Sequence, residues 1–108
     1  MKFKNVSKAD VWEYVKGSSY QGTVIASYSI MVELFGLPYL VPEEDQDKSK
    51  VEWTIIWKDK TVSTIYDWKW YDTELEDITE WNIGGDSYMS ALHIQELVYS
   101  EYPLGQKL

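Results

Sequence analysis

The amino-acid sequence predicts a small single α+β domain, in which an antiparallel, hairpin-centred sheet of about three strands packs with two to three helices. Three observations support this class. Two neighbouring stretches alternate apolar and polar residues, an earlier stretch has apolar residues at helical spacing, and a glycine pair precedes a second helical stretch. At 108 residues the chain has the length of one domain, and we assign residues 1–108 to it.

The first twenty residues have scattered apolar positions without a regular period. We expect a loosely attached N-terminal segment there, with a short helix that Asp10 caps and Gly17 ends. The basic residues of this segment are not followed by an apolar stretch, so it does not resemble a signal peptide.

A helix is expected over residues 23–35, because apolar residues recur there at spacings of four, three and four. Gly36 is placed to cap its C-terminus, and Pro38 prevents the helix from resuming. Residues 38–50 then read as a loop. The apolar stripe of the helix consists of Val24, Tyr28, Met31 and Phe35.

Two alternating stretches, residues 51–57 and 62–69, predict strands that form a hairpin around the polar turn between them. Trp53 and Trp57 lie on the apolar face of the first strand and are expected in the core. A short third strand is expected over residues 79–83.

Gly84 and Gly85 are expected to end the third strand. Asp86 or Ser87 is then placed to cap a final helix that extends to about residue 99. We expect six side chains in the core: Val24, Tyr28, Phe35, Trp53, Ile55 and Leu92.

The charge of the chain excludes several functions. The formal net charge is −8 and the sequence contains no arginine, which disfavours duplex nucleic acid and anionic membranes as partners. An acidic protein is instead attracted to basic surfaces, including those that normally hold nucleic acid. Cysteine is absent, so disulfides and thiol catalysis are excluded. No apolar run approaches the roughly 20 residues of a membrane span.

The segment 65–86 combines large aromatic side chains with seven carboxylates and a single lysine. A fold does not require this mixture, because like charges repel one another. A surface that binds a partner does use it, since aromatic residues serve as desolvated anchors and charges set orientation and association rate. We therefore expect a partner-binding surface that consists of Trp70, Tyr71, Asp72, Glu74, Glu76, Asp77 and Glu80.

Catalysis is not expected. The single histidine, His93, lies in the middle of a helical stretch without a serine or aspartate at a catalytic spacing, so a surface or half-buried structural histidine is favoured. Pairs of neighbouring carboxylates are better explained by solvated acidic loops than by acid–base catalysis. The one exception considered is Glu80, beside Trp81, because burial there can raise the pKa of its carboxyl. No metal or other cofactor is expected, because metal ligands at regular spacing are missing.

Three blocks of the sequence resemble a small protein family that bacteriophages carry widely: GSSYQGTVIASYSIMVELFGLP, KVEWTIIWKDKTVSTIYDWKWY and EWNIGGDS. The resemblance covers roughly residues 17–98. The family often has a glycine in the hairpin turn and a histidine after the third-block tryptophan, where this chain has Lys60 and Asn82. The matching positions are Lys50, Glu52, Trp53, Ile65, Tyr66, Trp68, Lys69, Trp81, Ile83, Gly84 and Gly85.

The resemblance implies an accessory protein that neutralises bacterial defence in the host cytoplasm. One mechanism is direct inhibition of a host defence protein with a basic surface, such as a CRISPR or restriction nuclease. The alternative is an oligomeric sponge that sequesters a cyclic nucleotide immune signal by stacking aromatic side chains on its bases. Its nucleotide-binding residues would be Lys50, Tyr66, Trp68, Lys69, Trp81, Gly84 and Gly85.

Overall fold

The computed structural model describes residues 2–7, 18–42, 49–68 and 73–103. These residues form an antiparallel sheet of six strands, two α-helices and a one-turn 3₁₀ helix. In chain order the elements are β1 (Phe3–Asn5), β2 (Ser19–Ile25), α1 (Tyr28–Phe35), β3 (Tyr39–Leu40), β4 (Val51–Trp57), β5 (Val62–Tyr66), the 3₁₀ helix (Leu75–Asp77), β6 (Glu80–Gly85) and α2 (Tyr88–Glu101).

The sheet is built around the hairpin of β4 and β5, which confirms that part of the sequence prediction. The strand order is β1-β4-β5-β6-β2, and β3 shares the outer edge of β4 with β1. The hairpin closes through a loop in which the Lys60 amide donates to the Trp57 carbonyl and the Trp57 amide donates to the Thr61 carbonyl. Lys60 has a φ of +76°, the left-handed region that favours glycine.

The prediction of a sheet of about three strands was wrong, because β1, β2 and β3 were missed. The strands β1 and β3 have three and two residues, too few for an alternating pattern to be visible. In β2 the apolar residue Val24 had been assigned to a helical stripe, whereas the helix begins at Tyr28. The Ser27 hydroxyl marks this start by accepting the Ile30 amide at 3.2 Å, and Gly36 caps the C-terminus as expected.

Other elements also begin or end at residues that differ from the predicted ones. Strand β5 ends at Tyr66 rather than at residue 69, and β3 lies in the stretch 38–50 that was expected to be a loop. The short helix expected between Asp10 and Gly17 lies outside the described residues. The final helix, α2, was expected over 87–99 and spans Tyr88–Glu101, with Ser87 at its N-cap position.

The glycine pair does not break β6, as the sequence had suggested, because the strand continues through Gly85. A Cβ atom on Gly85 would lie 2.0 Å from the Ser90 Oγ and 2.8 Å from the Val62 carbonyl oxygen. The Ser90 hydroxyl donates to that same carbonyl at 2.7 Å. Glycine is therefore required here so that α2 can approach the sheet closely.

The hydrophobic core lies between the sheet and the two helices. Trp53 and Trp81 meet edge to face at its centre, with ring centroids 5.2 Å apart, and both are fully buried. Of the six expected core residues, Val24, Phe35, Trp53 and Ile55 are buried. Tyr28 and Leu92 are only half-buried.

A buried carboxylate organises the start of β4. The Asp67 side chain, 1 % exposed, accepts the Lys50 amide at 2.9 and 3.1 Å and the Val51 amide at 3.0 Å. Burial raises the pKa of the Asp67 carboxyl, although these backbone hydrogen bonds and the Lys50 charge act to lower it. Asp67 therefore connects the end of β5 to the start of β4.

Candidate functional site

One face of the sheet is not covered by any helix of the described part of the chain; we call it the open face. The helix α2 packs across β2, β5 and β6 on the other face, where α1 also buries its apolar side. Side chains alternate between the two faces, so residues paired across neighbouring strands share a face. One row of paired residues crosses the whole open face: Thr23, Asn82, Tyr66, Glu52 and Tyr39.

The open face contains a depression of about 400 Å³ above Gly84, which we call the open-face depression. Gly84 forms part of its floor, since a Cβ atom there would point at the Thr64 Oγ1 at 2.6 Å. Tyr66 and Trp68 stand edge to face, with ring centroids 5.9 Å apart. The other lining residues used below are Tyr20, Glu52 and Ser49.

Among the described residues that line the open-face depression, Glu52 is the charged one. Burial, followed by the proximity of Tyr20 and Glu52, raises the pKa of the Tyr66 phenol above its usual value of 10.0. The Ser49 hydroxyl donates to Glu52 Oε1 at 3.2 Å. None of the described residues that line the depression is a lysine. The site therefore disfavours a further negative charge.

The expected partner-binding carboxylates are exposed. Glu74 precedes the 3₁₀ helix and Glu76 and Asp77 lie within it; we call these three residues the acidic turn. Glu80, also exposed, begins β6. Within the described part of the chain no lysine forms an ion pair with any of these four residues. Trp70, Tyr71 and Asp72 of the expected surface lie outside the described residues.

The acidic turn adjoins α1. Burial, together with the proximity of Glu76, raises the pKa of the Tyr28 phenol. The apolar residue of the turn, Leu75, packs against the core, while the carboxylates point away from it. The turn is thus held to the fold by its apolar side chain and presents its charges to solvent.

The structure brings only part of the expected nucleotide-binding set together. Tyr66, Trp68 and Gly84 line the open-face depression. The Lys50 ammonium donates to the Thr73 carbonyl, and the Trp81 ring is fully buried, with its Nε1 donating to the Ala26 carbonyl at 2.9 Å.

The two glycines of that set occupy a strand that is paired on both sides, with β5 and with β2, and Ser90 lies over Gly85. Their backbone is therefore part of the sheet and not an exposed loop that could surround a phosphate. Lys69, the other cation of the set, lies outside the described residues.

His93 is buried, rather than at the surface or half-buried as the sequence suggested. Its Nε2 lies 2.8 Å from Asp59 Oδ2, and its ring packs on Trp57 with centroids 5.0 Å apart. Hydrogen bonds from the backbone and side chain of Thr61, and then from His93, hold the pKa of Asp59 at about 2. The pair therefore links the hairpin turn to α2.

A metal site and a membrane-spanning helix are each not found among the described residues, and the acid considered for catalysis is not buried. Glu80, the acid for which burial beside Trp81 was considered, is exposed. Residues 2–7, 18–42, 49–68 and 73–103 contain no group of three histidine, aspartate or glutamate side chains placed to hold a metal ion. Nor does a helix in these ranges have the length and apolar character needed to cross a membrane.

The depression contains residues that the sequence did not indicate as site residues, among them Tyr20, Glu52 and Thr64. Glu52 alternates with core residues in β4, so the pattern of 51–57 placed it opposite the apolar face. Thr64 had no such signal, because the pattern of β5 did not show which of its faces is buried. Tyr20 had no such signal, because β2 was not recognised as a strand.

No family model, curated protein or solved structure matches this chain. The resemblance to phage accessory proteins therefore stays a prediction from the sequence.

Proposed function

We propose that this protein is a non-enzymatic inhibitor that binds a bacterial defence protein with a basic surface, such as a CRISPR or restriction nuclease. The observation that carries the proposal is the exposed group of carboxylates formed by the acidic turn and Glu80, which no lysine of the described chain neutralises. The resemblance to phage accessory proteins suggests the class of partner.

Most of the described lysines lie at one end of the sheet, together with Asp59 and Asp86, while Lys50 lies at the other end. Lys2 and Lys58 are joined by a backbone hydrogen bond at the hairpin-turn end, and Lys4 pairs with Ile56 beside them. Glu80 lies at the other end of the strands, paired with Ile25. The acidic turn and Glu80, at the end away from Lys2 and Lys58, would accelerate approach to a basic surface and orient the encounter.

The nucleotide sponge receives less support from the described residues. Stacking on Tyr66 and Trp68 is available at the open-face depression. A phosphate, however, would meet the Glu52 carboxylate there, and the Lys50 ammonium is already bound to the Thr73 carbonyl. Inhibition by protein binding is therefore the function that we favour.

The test compares two variants that remove the same charge from different places. The acidic-turn variant carries Glu74→Gln, Glu76→Gln and Asp77→Asn. The control variant removes three other exposed carboxylates, through Asp86→Asn, Glu96→Gln and Glu101→Gln.

Wild-type protein and both variants are immobilised, exposed to bacterial lysate and analysed by mass spectrometry, and each captured protein is then purified for direct binding. We expect wild type and control variant to bind a basic defence protein and inhibit it, with affinity that falls as salt rises. The acidic-turn variant should associate more slowly. Equal binding by both variants would contradict the proposal, as would submicromolar binding of a signalling nucleotide in calorimetry.

A further inference from the structure

The open-face depression combines features that are typical of a binding site. It is a concavity of about 400 Å³ on a sheet face that the described helices leave uncovered, and aromatic rings stand at its rim. Tyr20 is 61 % exposed and Trp68 is 39 % exposed. Aromatic side chains exposed around a concavity mark binding sites more often than ordinary surface.

The polar groups of the depression select the charge of the ligand. Glu52 supplies a carboxylate that is exposed, paired across the sheet with Tyr66, and in contact with the Ser49 hydroxyl through Oε1. None of the described lining residues is a cation. A cationic group gains both from this carboxylate and from the negative faces of the aromatic rings, whereas an anion is repelled by both.

The shape and mixture of groups favour a planar cation. A guanidinium stacks on aromatic rings and forms a bidentate pair with a carboxylate, while an ammonium is a strongly hydrated point charge. We propose that the open-face depression binds an arginine side chain on the surface of a partner protein, with the guanidinium against Trp68 and Tyr66 and its N–H groups donating to Glu52. The proposal rests on the proposed function for the identity of that partner as a protein with a basic surface.

The charge of the whole chain agrees with this occupant. At a formal net charge of −8, the protein attracts basic surfaces from a distance. The depression then provides a short-range contact that distinguishes arginine from a general positive charge. The acidic turn belongs to a different segment of the chain, so each site is open to a separate test.

The experiment uses two small probes of nearly the same shape, one ending in a guanidinium and the other in a neutral urea group, which has fewer N–H donors. Nα-acetyl-arginine amide and Nα-acetyl-citrulline amide are titrated into isotopically labelled protein and followed by amide and indole NMR shifts. We expect the arginine probe to shift the signals of Thr64, Tyr66, Gly84 and the Trp68 indole, and to bind about tenfold more tightly than citrulline. Adenosine monophosphate is the third probe and should leave these signals in place.

Two variants locate the effect. Glu52→Gln retains the size of the side chain and should weaken arginine binding about tenfold, whereas Glu96→Gln, on the exposed side of α2, should leave it unchanged. Equal binding of arginine and citrulline would overturn the proposal, and so would tighter binding of the nucleotide.

Failure of this inference is distinguishable from failure of the proposed function. If the arginine probe does not bind while the acidic-turn variant still loses the captured defence protein, the function stands and the depression has no role as an arginine site. If the probe binds at Glu52 while both charge variants retain the partner equally, the arginine site stands. The acidic turn is then excluded as the surface that binds the partner.

Discussion

At the scale of single residues, Lys60 is the one described non-glycine residue with a positive φ. Its φ of +76° brings the Cβ atom close to the backbone, which costs roughly 1–2 kcal/mol for an ordinary residue. Glycine removes that cost but makes the unfolded chain more flexible, which opposes folding by about 0.4–1 kcal/mol. The relief of strain is the larger effect.

We therefore expect Lys60→Gly to raise the free energy of unfolding by about 0.5–1 kcal/mol. Urea unfolding followed by tryptophan fluorescence measures the change. Lys58→Gly is the matched control, since Lys58 lies in the same turn with a negative φ and should lose stability. A loss of the same size in both variants would show that the strain at residue 60 is unimportant.

The buried Asp67 carboxyl leads to a second prediction, on how the free energy of unfolding depends on pH. Its pKa is raised above 3.8 in the folded protein, chiefly by burial, so ionisation of this carboxyl opposes folding. The stability it contributes is complete below its unfolded pKa and falls as pH rises through the higher folded pKa. Asp67→Asn keeps one acceptor oxygen but does not ionise.

The stability difference, wild type minus Asp67→Asn, should therefore decrease as pH rises from about 3 to neutrality. Chemical unfolding at a series of pH values measures it. Asp67→Ala serves as a second variant, because it leaves the Lys50 and Val51 amides without this partner and should cost about 2 kcal/mol or more at any pH. A difference that grows with pH would mean that the backbone hydrogen bonds outweigh burial.

At the scale of elements, the packing of α2 on the sheet depends on an absent side chain. A Cβ atom on Gly85 would collide with the Ser90 side chain and with the Val62 backbone, and the backbone cannot move aside without breaking the sheet. At Gly22 the nearest atom, the Ala91 Cβ, is 3.2 Å away, so a small adjustment suffices.

Gly85→Ala should consequently destabilise the protein by about 3 kcal/mol or more, at or beyond the upper end of ordinary overpacking costs. Gly22→Ala is expected to lose less. Thermal unfolding by circular dichroism compares the two variants with wild type. Equal losses would indicate that α2 shifts easily across the sheet.

The exposed edge of β2 is partly protected by α2. The Gln95 side chain donates to the Thr23 carbonyl at 2.8 Å, and the Tyr99 hydroxyl accepts the Ile25 amide at 3.0 Å. These contacts occupy backbone groups that would otherwise be available to a further strand. Growth of the sheet through this edge into a homo-oligomer is therefore opposed by the side chains of α2.

The elements also show what the sequence can predict. The hairpin of β4 and β5 was predictable because seven and five residues alternate clearly in those strands, and α2 because its apolar positions extend over several turns. The edge strands β1, β2 and β3 were not predictable, because they form through pairing with residues distant in the chain. At the candidate site, alternation placed Glu52 opposite the apolar face of β4, but only the sheet brings Tyr66 and Tyr20 beside it.

At the scale of the whole molecule, the formal net charge of −8 opposes the compact state through repulsion among carboxylates. The acidic turn contributes to this cost. Its position in the first turn of a 3₁₀ helix offsets little, because a helix of three residues has only a small dipole. If the acidic turn serves binding and not folding, removal of its charges should raise the free energy of unfolding.

The acidic-turn variant, whose three substitutions change the net charge from −8 to −5, should unfold at a higher temperature than wild type in low salt. We expect a gain of a few tenths of a kcal/mol for each charge removed, and a smaller gain at about 0.15 M salt, where screening acts within roughly 8 Å. Scanning calorimetry at two salt concentrations measures both effects.

The control variant removes the same number of charges and should gain a similar amount, because the repulsion is a property of the whole surface. The two variants should differ only in partner binding, which the acidic-turn variant weakens through slower association. A fall in stability in the acidic-turn variant alone would show that these carboxylates support the fold. It would contradict the proposal that they are kept for a partner.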